Sequence, residues 1–142
     1  MCGRYELHSN PAAIALAFGL AHTPSVRPRY NVAPMQEVPI VRVAASGARE
    51  LVAVRWGLVP RWAKDPAIGS KMINARGETV ATKNSFRSAF KKHRCIIPAD
   101  GFYEWKAIPG QKTKQPYFIH RPDGEPFAFA GLWESWRPKG DD

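Results

Sequence analysis

The second residue of the chain is a cysteine that could perform covalent chemistry. Removal of Met1 would leave Cys2 with a free α-amine and a thiol on the same residue. Such a 1,2-aminothiol condenses with an aldehyde, because the amine forms an imine and the thiol then closes a five-membered thiazolidine ring. With a pKa of about 7.7 to 8.0, roughly a tenth of an α-amine is neutral at pH 7 and available as a nucleophile. Position alone favours the alternative, an unreactive penultimate cysteine.

A carboxylate flanked by aromatic residues is a second candidate for chemistry. Glu104 lies in the segment 101–105 (GFYEW). The aromatic side chains could partly shield it from water, a condition that suits a general acid or base. An ordinary exposed strand position is the alternative, and the local sequence does not separate the two.

An amide, a guanidinium and a carboxylate occur together in residues 74–79 (NARGET). Asn74 could orient a substrate oxygen, and Arg76 could clamp a phosphate. Taken alone, the segment favours the alternative of a helix cap with Arg76 and Glu78 as a surface ion pair.

Aromatic residues beside cations suggest contact with unpaired bases. The segment 56–62 (WGLVPRW) combines two of the five tryptophans with a proline and an arginine. Exposed aromatic rings near basic residues suit base stacking. Because most tryptophans fill protein cores, the stacking role is assigned to Trp62 alone.

Composition places the chain among globular proteins with a polyanionic partner. The 142 residues are 44% apolar and 11% aromatic, enough for one domain with a sizeable core. Lys and Arg number 21 against 12 Asp and Glu, a net charge of +9. This surplus favours nucleic acid as the partner, and a solvated basic surface is the alternative.

Several classes of protein are disfavoured by the sequence. No apolar run approaches the roughly 20 residues needed to span a bilayer, and the N-terminus lacks a secretory signal, so we expect a cytoplasmic protein with reduced thiols and no membrane partner. His93 with Cys95, and Cys2 with His8, lack convincing metal-ligand spacing. We therefore expect neither a metal nor a cofactor.

The first half of the chain is predicted to contain one helix and one hairpin. Asn10 can cap a helix over Ala12–Leu20 that Gly19 then breaks. The proline-rich residues 27–34 should be extended loop. The Val- and Ile-rich runs 37–43 and 50–56 read as a β-hairpin, and Pro39 argues for an edge position or a bulge in the first strand.

The second half is predicted to contain a basic helix and further strands. Ser85 can cap an amphipathic helix that carries Arg87, Lys91 and Lys92. Residues 95–98 and 102–106 are strand candidates, and 117–120 with 126–130 should form a second hairpin around the turn 121–124.

Taken in order, these motifs resemble the SRAP family, the SOS response-associated peptidases that shield abasic sites in DNA repair. They cover nearly the whole chain, and we interpret residues 1–142 as the N-terminal two-thirds of one SRAP domain. The segments that carry the resemblance are 1–5 (MCGRY), 30–34 (YNVAP), 56–60 (WGLVP) with Trp62, 74–76 (NAR) with 78–79 (ET), 94–95 (RC) with Pro98, 101–105 (GFYEW), 115–117 (QPY) and 130–134 (AGLWE).

The resemblance implies a fold and a reaction. The fold would be α+β and strand-rich, with antiparallel sheets in a barrel-like arrangement, a few short helices and a basic DNA groove. Cys2, exposed by self-processing removal of Met1, would crosslink to the aldehyde of an abasic site in single-stranded DNA. Asn74 matches the family asparagine that positions the reacting sugar, and Glu104 matches the catalytic carboxylate.

The resemblance also implies a set of DNA contacts. Arg4 and Arg76 match basic positions near the DNA backbone, and Trp62 matches an aromatic that packs against it. Asn31 belongs to the same DNA-binding set. The expected partner is single-stranded DNA with abasic sites, bound by a protein that is monomeric when complete and, in a bacterium, associated with the nucleoid.

One departure from the family pattern concerns the C-terminus. Family members continue past the AGLWE segment to a catalytic histidine, and none of His8, His22, His93 or His120 lies in that motif. We therefore expect a fragment or a shortened gene product. Two alternatives stay open, a binding module for single-stranded nucleic acid that performs no chemistry and a thiol autopeptidase with impaired catalysis.

Overall fold

The structure, a computed structural model, describes residues 2–140 and contains two four-stranded antiparallel sheets. The strand order is β2-β1-β6-β7 in the first sheet and β4-β3-β5-β8 in the second. The strands are β1 (Tyr5–Leu7), β2 (Arg29–Val32), β3 (Glu37–Val43), β4 (Arg49–Arg55), β5 (Arg94–Ala99), β6 (Gly101–Lys106), β7 (Gln115–Ile119) and β8 (Phe127–Leu132). The helices are α1 (Pro11–Phe18), a 3-10 helix (Pro66–Lys71) and α2 (Arg87–Lys92). This confirms the strand-rich α+β class, although over residues 2–140 the two sheets do not close into a barrel.

The hydrophobic core lies between the two sheets and against α1. Tyr5 of β1 and Phe102 of β6 both contact the ring of Phe129 on β8 edge-on, with ring centroids 6.0 and 5.7 Å apart. Ile14 and Phe18 of α1 are buried in the same cluster. Aromatic and branched side chains from both sheets therefore pack face to face, which fixes how the sheets sit against each other.

Helix α1 begins after the predicted cap, Asn10, and ends before the glycine predicted to break it, Gly19. The Asn10 side chain accepts a hydrogen bond from the backbone N–H of Ala12 at 2.8 Å. Gly19 follows the helix with φ +70°, the left-handed conformation that favours glycine at this position. The helix prediction is confirmed, with observed bounds of Pro11–Phe18.

The first predicted hairpin is confirmed as β3 and β4. Gly47 in its turn has φ +86°. The prediction that Pro39 marks an edge strand or a bulge is wrong, since β3 lies between β4 and β5 and Pro39 pairs in register with Ala53. The bridge from β3 to β5 joins Val41 to Ile96. Pro39 lies two residues before that bridge, and the register between β3 and β5 pairs only Val41 with Ile96 in the described residues.

The second predicted hairpin is wrong, although both of its strands exist. Strand β7 pairs with β6 in the first sheet, and β8 pairs with β5 in the second. The turn itself forms, with the N–H of Gly124 donating to the carbonyl of Arg121 at 3.1 Å. Turn residues specify a chain reversal but not the partner of each strand, and here the chain crosses between sheets. The strand predictions at 95–98 and 102–106 are confirmed as β5 and β6.

Two local predictions fail because other backbone partners take over. Part of the predicted loop 27–34 is strand β2, which pairs with β1. Helix α2 begins at Arg87 without a side-chain cap from Ser85. The N–H groups of Phe86 and Arg87 donate instead to the carbonyl of Lys83 at 3.0 and 2.8 Å, so the preceding turn supplies the acceptor.

A single residue, Asp100, carries the chain from β5 in one sheet to β6 in the other. Asp100 is 5% exposed. It accepts hydrogen bonds from the backbone N–H groups of His8 at 2.7 Å and Ser9 at 2.8 Å, and from the Ser9 hydroxyl. The N–H of Asp100 donates to the carbonyl of Glu6 at 2.8 Å. The connection between the sheets is therefore tied to the end of β1.

Candidate functional site

Cys2 lies just before β1, where the chain start is held against β6. The N–H of Tyr103 donates to the carbonyl of Arg4 at 2.9 Å, and the Cys2 thiol donates to the same carbonyl at 3.5 Å. The Cys2 residue is partly buried. Its thiol therefore has a defined position instead of following a loose terminus.

Asn74 contacts Cys2 directly, although 72 residues separate them along the chain. Its side-chain amide donates to the backbone carbonyl of Cys2 at 2.7 Å. This contact brings together two of the three residues predicted to be catalytic. It also leaves Asn74 beside the nucleophile, where the side chain orients the Cys2 backbone.

The position of Asn74 depends on a tryptophan that the sequence reasoning did not single out for the site. The indole N–H of Trp56 donates to the carbonyl of Ile73 at 2.8 Å, and the N–H of Leu58 donates to the carbonyl of Met72 at 3.0 Å. These bonds hold the backbone immediately before Asn74. Trp-Gly-Leu occurs once, at 56–58, and Asn74 lies 16 positions after Leu58, so no local pattern connects the two segments.

Two glycines allow the 3-10 helix to approach the segment that follows β4. Gly57 has φ +130°, and a Cβ there would lie 2.7 Å from the carbonyl oxygen of Gly69. A Cβ on Gly69 would lie 2.9 Å from the carbonyl oxygen of Gly57. Side chains at either position would separate the backbones that place Asn74.

Glu104, on β6, is close enough to Cys2 for its charge to act on the thiol. Burial raises the pKa of the Cys2 thiol, the backbone hydrogen bond to Arg4 lowers it, and the negative charge of Glu104 raises it further. The net direction is upward. The thiol is therefore protonated at neutral pH, and it must release a proton when it attacks an electrophile.

Arg4 and Asn31 lie together beside the chain start. The Arg4 guanidinium donates to the Asn31 side-chain oxygen at 3.1 Å. The Tyr103 hydroxyl lies 3.0 Å from the carbonyl of Tyr30 and also contacts Glu6, which joins β6 to β2 and β1. The structure thus gathers five of the predicted site residues, which are Cys2, Arg4, Asn31, Asn74 and Glu104.

Trp62 and Arg76 are both exposed to solvent, with 51% exposure for Trp62. Within residues 2–140 neither side chain forms a hydrogen bond or ion pair with Cys2 or Asn74. The surface ion pair between Arg76 and Glu78 is not formed in this part of the chain either. Their DNA-binding roles stay predictions.

Neither a group of metal ligands nor a membrane-spanning helix is present among the described residues. No group of three or more His, Cys, Asp or Glu side chains between residues 2 and 140 is placed to hold a metal ion. Over the same residues, none of the helices has the length and apolarity that crossing a bilayer requires. The two cysteines in this range are both free thiols, and Cys95 is buried.

The arrangement around Cys2 can capture an electrophilic carbon. The Cys2 thiol supplies the nucleophile, and the Glu104 carboxylate, whose charge acts on that thiol, can accept the proton of the thiol. The Asn74 amide fixes the backbone that carries Cys2. Exposed cations beside this group can hold an anionic substrate.

Comparison with known sequences identifies relatives over almost the whole chain. The family described as SOS response associated peptidase (SRAP) matches residues 1–142. The abasic site processing protein YoqW of Bacillus subtilis is 47% identical over 145 residues, which cover 99% of this chain and 64% of the relative. The abasic site processing protein HMCES of Rattus norvegicus is 33% identical over 172 residues, covering 96% of this chain and 49% of the relative. The chain therefore spans less than two thirds of the length of these relatives.

Solved structures share the fold. A protein from Bacteroides thetaiotaomicron superposes with a TM-score of 0.82 at 26% identity, covering 98% of this chain and 62% of that one. A protein from Bordetella bronchiseptica superposes with a TM-score of 0.81 at 31% identity, covering 96% and 65%. The fold of this chain is thus found within longer proteins.

Proposed function

Because the chain belongs to the SOS response-associated peptidase (SRAP) family, we propose that it processes abasic sites in DNA by capturing them covalently through Cys2. The observation that carries the proposal is the 2.7 Å hydrogen bond from the Asn74 side chain to the Cys2 carbonyl. The charge of Glu104 acts on the thiol of the same cysteine. Relatives named as abasic site processing proteins support the substrate.

The proposed reaction joins both nucleophiles of Cys2 to one carbon. After Met1 is removed, the α-amine attacks the open-chain aldehyde of the abasic deoxyribose and forms a carbinolamine. Loss of water gives an imine. The thiol then adds to the same carbon, forming the C–S bond, while its proton ends on the ring nitrogen. The net change is one aldehyde and one aminothiol converted to a thiazolidine and one water.

Glu104 is proposed to move the protons that this sequence requires. Departure of the carbinolamine oxygen needs a proton, and the thiol must lose one as the ring closes. The Glu104 side chain can donate a proton in the first step as the carboxylic acid, and accept one in the second step as the carboxylate. The raised pKa of the Cys2 thiol makes such a base useful, because little thiolate exists at neutral pH without it.

DNA is proposed to reach Cys2 along a basic surface. Arg4 lies beside Cys2, and Arg76 lies two residues after Asn74, so both can contact phosphates on either side of the lesion. Trp62 is exposed and available to stack on an unpaired base. The net charge of +9 favours this partner. Single-stranded DNA is the proposed substrate, and the complete protein is proposed to act as a monomer.

Removal of Met1 is part of the proposal. Met1 lies outside the described residues, so its removal is inferred from the chemistry that Cys2 needs. A self-processing peptidase activity is consistent with the family description. Intact mass spectrometry of the purified protein measures this directly, as the loss of one methionine.

Incubation with an abasic single-stranded oligonucleotide tests the proposed function. We expect a denaturation-resistant complex from the natural chain, and none from Cys2→Ala or Cys2→Ser, while salt-sensitive binding of both variants stays largely intact. A stable adduct at normal yield from either variant would rule out the thiazolidine. Salt-sensitive binding by the natural chain without any adduct would point to a binding module without chemistry.

A further inference from the structure

A second basic surface lies on helix α2, outside the group around Cys2. An open pocket of about 640 Å³ is lined there by four exposed cations and by Phe90, which is 36% exposed. Among the described residues, no acidic side chain lines this pocket. The cations, called the α2 surface below, are Arg87, Lys91, Lys92 and Arg94.

The positive charge of the α2 surface is concentrated around one concavity. Helix α2 buries Ala89, which leaves its cations on the solvent side. Four like charges in one place repel each other, so their concentration favours an anionic ligand that neutralises them. An exposed aromatic ring among cations adds a stacking surface for a base, which a simple phosphate would not use.

A series of turns connects the α2 surface to the residues around Cys2. The N–H of Val80 donates to the carbonyl of Arg76 at 2.9 Å, that of Lys83 to Thr79 at 2.8 Å, and that of Arg87 to Lys83 at 2.8 Å. Ala81, within these turns, also lines the pocket. The segment between Arg76 and α2 is therefore a compact connection instead of a loose loop.

The length of this connection sets how far apart the two surfaces lie. Eleven residues separate Arg76 from Arg87, and helical turns advance about 1.5 to 2.0 Å per residue, which gives roughly 20 Å at most. One DNA strand covers that distance in about six nucleotides at 3.4 Å each, and in fewer when it is stretched. A strand of ordinary length can therefore contact both surfaces.

We propose that the α2 surface binds the phosphate backbone of the DNA strand that carries the abasic site, several nucleotides away from the lesion. This inference rests on the proposed function, because it assigns a second contact to the same strand. It extends the DNA contacts beyond Arg4 and Arg76. It also predicts that affinity depends on strand length in a way that the contacts around Cys2 alone would not produce.

Charge-removing variants and two strand lengths test the α2 surface. Lys91→Ala/Lys92→Ala removes two of its cations, and Lys112→Ala/Lys114→Ala is the control, since it removes the same charge from exposed residues between β6 and β7. Dissociation constants are measured by fluorescence anisotropy on undamaged single-stranded oligonucleotides of about 4 and about 15 nucleotides, at several salt concentrations.

We expect Lys91→Ala/Lys92→Ala to weaken binding of the long strand by about 5- to 25-fold at 0.1 M salt. The slope of log affinity against log salt should fall by about 1.4, the value for two lost phosphate contacts on a single strand. Binding of the short strand should change less than binding of the long strand, because a short strand can occupy either surface but cannot contact both at once. Equal effects of the two double variants on the long strand would overturn the proposal, as would equal losses on both strand lengths.

The design separates this inference from the proposed function. Binding is measured on undamaged DNA and needs no reaction at Cys2, whereas the proposed function is tested by the Cys2-dependent adduct on abasic DNA. Loss of the adduct with intact length-dependent binding would refute only the chemistry. A normal adduct with no special effect of Lys91 and Lys92 would refute only the α2 surface.

Discussion

Replacing Glu104 with glutamine should change two reactions of Cys2 in opposite directions. The substitution keeps the shape of the side chain and removes its charge and its ability to exchange a proton. Crosslinking should slow, because no carboxylate then handles the protons of imine formation and ring closure. Alkylation of the thiol by iodoacetamide should quicken. The negative charge of Glu104 raises the pKa of the Cys2 thiol, so its loss lowers that pKa and increases the thiolate fraction at any pH below it.

The change in alkylation rate depends on a charge–charge interaction, and the change in crosslinking rate depends on acid–base catalysis. Two unit charges a few ångströms apart at a partly exposed site interact by about 1 kcal/mol after screening by solvent, which corresponds to about a fivefold increase in thiolate and in alkylation rate. General acid and base catalysis contributes about 100-fold or more, so crosslinking should fall by about that factor. DNA affinity should change little, because the glutamine adds no positive charge.

Both rates are measured on the Met1-processed protein between about pH 6 and 8, below the usual pKa of about 8.5 for a cysteine thiol. Alkylation is followed by intact mass, and crosslinking by denaturing gel on an abasic oligonucleotide. Cys95 serves as an internal reference, since it is buried and burial raises its thiol pKa to about 11. Glu78→Gln is the matched control, because it removes the same charge from an exposed residue.

A parallel fall of both rates would refute the reasoning. It would mean that Glu104→Gln disturbs the position of Cys2 instead of its proton transfer. Unchanged crosslinking across the pH range would remove Glu104 from the reaction altogether. Faster alkylation in Glu78→Gln to the same extent would show a general effect of net charge.

Two further substitutions test how the site is positioned. Asn74→Ala removes the 2.7 Å hydrogen bond to the Cys2 carbonyl, worth about 0.5 to 1.5 kcal/mol, so crosslinking should slow by about 2- to 13-fold while DNA affinity is unchanged; an unchanged rate would contradict the positioning role. Gly57→Ala places a Cβ 2.7 Å from the Gly69 carbonyl at φ +130° and should destabilise the fold by about 2 to 4 kcal/mol in urea unfolding. Gly47→Ala, with φ +86° and nothing within 4 Å, should cost about 1 kcal/mol, and equal losses at both glycines would show that close packing at Gly57 is unimportant.

The elements that sequence predicts well are those whose signals are local. Helix α1 has a cap at Asn10 and a left-handed glycine at Gly19, and both act within one turn of the helix. The hairpin of β3 and β4 has Val- and Ile-rich runs on each side of a short turn that contains Gly47. In these elements the interactions that decide the structure lie within a few residues of each other.

Strand partners and site geometry depend on contacts between distant residues, which local patterns do not report. The turn at residues 121–124 is predicted correctly. Strands β7 and β8 nevertheless lie in different sheets, because their pairing depends on contacts with distant strands. The prediction that Cys2, Asn74 and Glu104 form one site came from the resemblance of the motifs to a family. Only the fold shows that Trp56 holds the backbone before Asn74.

The one-residue passage at Asp100 leaves the two sheets no hinge between β5 and β6, since its backbone and carboxylate are both tied to the end of β1. A frame of this kind offers a preformed surface, so under the proposed function the adjustment on binding would come from the nucleic acid. An abasic strand has already lost a base and its stacking, which makes it easier to bend and to turn the sugar outward. Under the proposed function, the flexibility of the strand would then favour damaged over intact DNA before Cys2 reacts with the aldehyde, without any side chain that reads the missing base.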